Sequence, residues 1–150
     1  MKHGSEGFPL CITVTHLDGI VLARSAFNHS MNYRSAVCFG TAILIDGAEK
    51  DHALKVISDQ ILPGRWEEAR LPTAKELKAT TVLKMEIDQA SAKIRTGDPG
   101  DDKPDYDLDI WAGVLPITQI YGDLIPDPLL RDGIPTAESA SAQIEKQKKR

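Results

Sequence analysis

The run Ser35 to Ile45 (SAVCFGTAILI) is apolar at both odd and even positions. A strand of this kind has no wet face, so it must be covered on both sides or help to close a barrel. Gly40 inside it predicts a bend or bulge, as barrel strands need. The preceding chain supplies neighbours for it. Leu10 to Thr15 (LCITVT) is bounded by Pro9, and Ile20 to Phe27 (IVLARSAF) follows His16-Leu17-Asp18-Gly19. Asp-Gly offers the positive-φ positions of a tight connection, which predicts a hairpin here.

After this sheet-forming half the period changes. Asp46 stands three residues before Glu49, and Ala53, Leu54, Ile57 and Ile61 recur at helical spacing. That predicts a helix from about Ala48 to Leu62, stopped by Pro63-Gly64. Thr73 and Glu76 repeat the capping signature and open a short second helix. Thr81, Leu83, Met85 and Ile87 then alternate with Val82, Lys84 and Glu86, the pattern of a strand with one wet face. Thr96 to Asp109 is rich in Asp, Gly and Pro and is expected to be an exposed loop. Ile110 to Ile117 returns to strand character, and Pro116 keeps that strand from a central place. Beyond Asp127 the composition favours a polar tail or a weak helix that packs little. The expected organisation is one α+β domain over residues 1–128, a barrel-like sheet with a helical excursion, followed by a tail over 129–150.

Length and charge narrow the function classes. The chain has 150 residues, with 18 Lys and Arg against 22 Asp and Glu, a net charge of −4. That is enough for one core, and it is the wrong sign for a dedicated nucleic-acid binder. No apolar run has the length of a membrane span, and the first residues carry no signal-like apolar region. A cytoplasmic address is expected. The two cysteines, Cys11 and Cys38, sit in apolar runs and are expected to pack as small hydrophobes. The histidines are isolated from one another, which argues against a metal site. No Gly-x-Ser-x-Gly, Gly-x-Gly-x-x-Gly or Walker-type loop occurs.

The densest set of polar side chains lies between the two apolar strands: Asn28, His29, Ser30, Asn32, Tyr33, Arg34 and Ser35. Hydroxyl and amide donors beside a guanidinium fork suit a phosphate or the carbonyls and ring nitrogens of a flavin. They equally suit a solvated loop whose Asn and Ser residues cap turns. Arg24 either reaches a pocket with its charge or snorkels to a barrel rim. Lys93 and Arg95 share one parity of a strand end, where they bind an anion or pair with Asp98, Asp101 and Asp102. Trp66 covers a helix end or stacks on Arg65, and Trp111 is either core or a platform for an aromatic ligand.

Taken together, Cys11 through Gly40, Pro63-Gly64-Arg65-Trp66, Glu76-Leu77, Ser91-Ala92-Lys93-Ile94-Arg95 and Trp111-Ala112-Gly113 resemble the pyridoxamine 5′-phosphate oxidase-like flavin-nucleotide-binding proteins. The branch that includes the nitroimidazole-resistance proteins is the most similar. The resemblance covers about Leu10 to Asp127, and ARSAFNHSMNYRS is its most specific stretch. It implies a split β-barrel that dimerises with flavin mononucleotide (FMN) in clefts at the subunit interface. Oxidases of that superfamily carry a strand Arg-Gln-Val-Arg-Val-Glu-Gly whose Gln touches the flavin. Arg34 to Gly40 has the same length between Arg and Gly, which sets Ser35 at the place of that Gln. Trp111 with Gly113 matches a Trp ahead of a Gly that lines the flavin.

The cofactor-facing candidates are thus Arg24, Ser25, Asn32, Tyr33, Arg34, Ser35, Lys93 and Trp111, with His29 a candidate for proton delivery. Family members usually carry further strands before the equivalent of Leu10, so a barrel short at its N-terminus is expected. The Arg-Leu-His element of true oxidases has no match after Trp111, and the vitamin substrate is not carried over. The expectation is an FMN-binding homodimer of oxidoreductase type with an unknown small-molecule substrate. The alternative is a non-catalytic dimeric split-barrel module without flavin.

Overall fold

The computed structural model describes residues 7–148. In chain order they form β1 (Phe8–Leu22), a 3-10 turn (Ala26–Asn28), β2 (Ser30–Ile45), α1 (Gly47–Ile61), α2 (Arg65–Glu68), α3 (Ala74–Ala79), β3 (Val82–Arg95), a 3-10 turn (Lys103–Asp107), β4 (Gly113–Pro116) and α4 (Glu138–Lys148). The strands make one four-stranded antiparallel sheet in the order β3-β2-β1-β4. It is open among the described residues, an α+β arrangement of the split-barrel kind. Two compact units can be distinguished: residues 1–42 with 85–119, and residues 43–84 with 120–150.

In the first unit the expected hairpin is replaced by a single strand. β1 runs without a turn from Phe8 to Leu22 and pairs with β2 from Phe8↔Ala42 to Val21↔Ser30. The Asp18-Gly19 pair falls at a register shift between Leu17 and Gly19. Gly19 is not among the glycines with positive φ, so the conformation that makes Asp-Gly a hairpin turn is absent. Its role is steric. A Cβ at Gly19 would lie 2.9 Å from Val114 Cγ1 and 3.2 Å from the Leu115 carbonyl oxygen, where β4 crosses β1. Gly40, by contrast, sits at no register shift and so marks no bulge against β1. There β2 and β3 touch, and a Cβ would come 1.9 Å from the Glu86 carbonyl oxygen.

β2 begins five residues earlier than the apolar run, at Ser30, which converts most of the polar cluster from loop to strand. β3 is similarly longer than its alternating core and carries Lys93 and Arg95 within it. β4 is short and pairs only with Gly19–Leu22, on the sheet edge as Pro116 requires. The β1 edge from Phe8 to Leu17 therefore has no strand partner among the described residues. Val21, Ala23 and Ala42 are buried, whereas Phe8, Ile12, Val14, Leu17 and Phe39 are exposed. Cys11, expected to be buried, is exposed for the same reason: no layer among the described residues covers its part of the sheet.

In the second unit α1 ends before Leu62-Pro63, and Gly64 takes a φ of 86° that closes the helix. Asp46 makes no side-chain cap, so the predicted signature there goes unused. α3 has the full capping box, with the Glu76 N–H donating to Thr73 Oγ1 and the Thr73 N–H to Glu76 Oε2. Lys50 is buried and donates to the Leu77 carbonyl at 2.7 Å, tying α1 to the last turn of α3. Within residues 129–150, α4 is docked at its start. Ser139 is buried, and its N–H and hydroxyl both donate to Glu68 of α2 at 2.8 and 2.6 Å.

Candidate functional site

The site is built on the end of β1, the start of β2 and the loop after β3, all in the first unit. Where β1 stops, three consecutive backbone N–H groups turn to side-chain acceptors. Ala23 donates to His29 Nδ1 at 3.0 Å. Arg24 donates to both oxygens of Asp101 at 3.0 and 3.1 Å, and Ser25 to Oδ1 at 3.1 Å. The Arg24 guanidinium adds a bond to Asp101 at 3.2 Å and lies 4.9 Å from the Tyr106 ring centroid. The Asp101 side chain has 0% solvent exposure. Burial pushes its carboxyl up, but the N–H groups of Arg24 and Ser25 and the guanidinium outweigh this and hold it below the usual range. Arg24 Nε is buried with no acceptor among the described residues.

The bond from Ala23 fixes the chemistry of His29. An Nδ1 that accepts a hydrogen bond carries no proton, so the neutral ring holds its proton on Nε2. His29 thus presents a donor, and it offers no Nε2 lone pair to a metal. Among the described residues no group of three His, Cys, Asp or Glu is arranged to hold a metal ion.

β2 divides the predicted residues between its two faces, as strand alternation dictates. Asn32 points to one side, where its Nδ2 donates to the Gly97 carbonyl at 3.0 Å and its Oδ1 accepts from Arg95 at 2.6 Å. Arg34 makes a two-pronged pair with Asp18 at 2.9 and 3.0 Å, and that fork holds the Asp18 carboxyl low. Tyr33 and Ser35 lie on the opposite face, across from Leu17 and Thr15. The Ser35 and Thr15 hydroxyls share a hydrogen bond of 2.8 Å. Val37 and Phe39 continue this face opposite Thr13 and Cys11. Leu17 is 48% and Phe39 51% exposed, so the face is an open, largely apolar bed with a hydroxyl pair in its middle.

Lys93 is exposed and has no hydrogen-bond or ion-pair partner among the described residues, unlike Arg95. Trp111 is 69% exposed, and its ring edge lies over Gly113, where a Cβ would meet it at 3.0 Å. The sequence reading missed Asp101 as a buried ligand of Arg24 and missed Tyr106 altogether. The available signal was one aromatic residue inside an otherwise polar Asp-rich loop, which marks a segment that packs back on the domain.

A separate cleft of about 360 Å³ lies in the second unit, between α1 and the α2–α3 region. Trp66, Leu71, Pro72 and Leu77 form its apolar wall, with His52 and Lys55 at its side. Lys55 is already bound to Asp59 and Glu67, so its charge is met within the unit.

The family model described as pyridoxamine 5′-phosphate oxidase matches residues 1–94. Among solved structures, a flavocytochrome from Azotobacter vinelandii superposes with a TM-score of 0.81 at 42% identity, over 92% of this chain and 65% of that one. A FAD and heme binding protein from Mycobacterium smegmatis superposes with a TM-score of 0.81 at 39% identity, over 91% of this chain and 68% of that one. The chain thus spans about two thirds of either structure's length. No curated protein is similar enough to be matched.

Proposed function

This chain belongs to the pyridoxamine 5′-phosphate oxidase family, and on that footing we propose that it binds a flavin nucleotide and serves oxidoreductase chemistry as a homodimer. The observation that carries the reading is the open face of β1 and β2. Leu17, Tyr33, Val37 and Phe39 surround the Thr15–Ser35 hydroxyl pair on it. A flavin ring has the same make-up, a flat apolar body with carbonyl and nitrogen acceptors along one edge, and it matches such a bed.

The donor set fits the group. Lys93 is an unengaged cation for a phosphate, the indole of Trp111 is exposed, and Arg24 Nε is a buried N–H that lacks an acceptor. The backbone donors of Arg24 and Ser25, and the Asn32 amide, are engaged by Asp101, Gly97 and Arg95, so their part is to shape the site. When bound, the flavin supplies electron or hydride transfer. The chain orients it, and the neutral His29 ring offers its Nε2–H as a hydrogen-bond donor to negative charge that develops during transfer. His29→Ala is expected to slow flavin reduction and turnover by about 10²- to 10³-fold, the usual range for one lost donor of this kind, and wild-type rates would end that role.

FMN is the expectation from sequence, whereas the protein from Mycobacterium smegmatis is described as binding FAD, which favours the dinucleotide. Competing titrations with FMN and FAD separate the two. Haem, named for that protein too, is tested in the same preparation by the Soret band. The homodimer is supported by the apolar side chains left uncovered on both faces of the sheet and by the unpaired edge of β1. A chain that dimerises yet binds no flavin would support the non-catalytic module instead.

A further inference from the structure

We infer that Asp101 is a positioning residue: its buried carboxylate fixes the Arg24-Ser25 backbone and the Arg24 guanidinium, and through them the imidazole of His29, for an acceptor-bearing ligand. That this ligand is a flavin rests on the reading above. The placement of the donors stands on the chain's own contacts.

A fully enclosed carboxylate is costly unless its charge is met by several donors. Among the described residues, all the donors to Asp101 come from one dipeptide: the N–H of Arg24, the N–H of Ser25 and the Arg24 guanidinium. A surface ion pair would use the guanidinium alone. Here the carboxylate sits where a bound anion would sit, on two successive backbone N–H groups. The next N–H toward the N-terminus, that of Ala23, is the one that sets the His29 tautomer.

The loop that brings Asp101 into place is itself anchored. It leaves β3 through Gly97, whose φ of 115° favours glycine and whose carbonyl accepts from Asn32. It returns through Tyr106, which lies against Arg24. The guanidinium is thereby held on one side by Asp101 and on a face by Tyr106, with Nε left unsatisfied. The Arg24 and Ser25 backbone is thus a scaffold that Asp101 locks, while the guanidinium keeps its Nε for a ligand.

The test uses the full chain labelled with ¹⁵N and the isosteric Asp101→Asn variant. Imidazole nitrogen shifts should show His29 as the Nε2–H tautomer in the wild type and as a mixture in the variant. Amide exchange at Arg24 and Ser25 in the wild type should be as slow as at Val21, a measurement that needs no variant to fold. Titration with FMN and with FAD should weaken about tenfold to a hundredfold in the variant, the scale of a small misplacement of binding groups. An unchanged His29 signature in the variant, or fast exchange at both amides in the wild type, would overturn the positioning role. A wild type that binds neither nucleotide would defeat the flavin reading, while tautomer and exchange still decide Asp101.

Discussion

Gly40 and Gly19 are the places where neighbouring strands approach too closely for any side chain. At Gly40 the obstacle is a backbone carbonyl, which cannot rotate away as a side chain can. Gly40→Ala is expected to cost at least about 3 kcal/mol, the upper end for overpacked sites, and chemical denaturation would read it. The sequence marked both glycines but not their purpose, because a turn, a bulge and a close strand contact all call for the same residue. Acid sensitivity also belongs to single residues. The Arg70 guanidinium, followed by the Thr73 N–H and hydroxyl, pulls the Glu76 carboxyl from 4.5 down to about 2. A carboxyl depressed on folding stabilises above its unfolded value and loses that contribution as pH falls through the folded one. The α3 capping box should therefore hold at neutral pH and weaken between pH 4.5 and about 2. Comparing acid unfolding of the wild type and Glu76→Gln checks this, and the two curves should converge at the acid end.

At the level of elements, period was the most readable property. The helix from about 48 to 62, the capped helix at Thr73 and an edge strand at Pro116 were legible, since each rests on local spacing or a named cap, although the strand expected over Ile110 to Ile117 is confined to Gly113–Pro116. Continuity was not. Leu10 to Thr15 and Ile20 to Leu22 are one strand, because the register shift at Asp18-Gly19 depends on β4 packing from far along the chain. Ser30 to Ser35 of the polar cluster, which read as a loop between two strands, lie within β2. Only its strand character explains why Tyr33 and Ser35 face away from Asn32 and Arg34. The start of helix α4 rests on a non-local contact, the Glu68 carboxylate on the Ser139 N–H and hydroxyl, while Gln147 near its end is tied to the Tyr121 backbone. Glu68→Ala should release its first turn, and limited proteolysis should then cut between residues 120 and 140 faster than in the wild type.

For the whole molecule, the proposed homodimer would account for an uncovered sheet. Phe8, Ile12 and Val14 on one face of β1 and β2, and Leu17 and Phe39 on the other, are exposed in the single chain. Apolar surface on this scale is rarely left in water. Sedimentation should give twice the chain mass of 16.4 kDa at micromolar concentration, and a stable monomer would count against the dimer. Composition alone does not decide what covers the sheet, because an apolar strand reads alike whether its cover comes from its own chain or from another. The most direct measurement is an equilibrium titration of the purified full chain with FMN and FAD, followed by quenching of flavin fluorescence. Saturable binding of one nucleotide per chain, weakened in Asp101→Asn, is the predicted result; fluorescence unchanged by the chain for both nucleotides would contradict it.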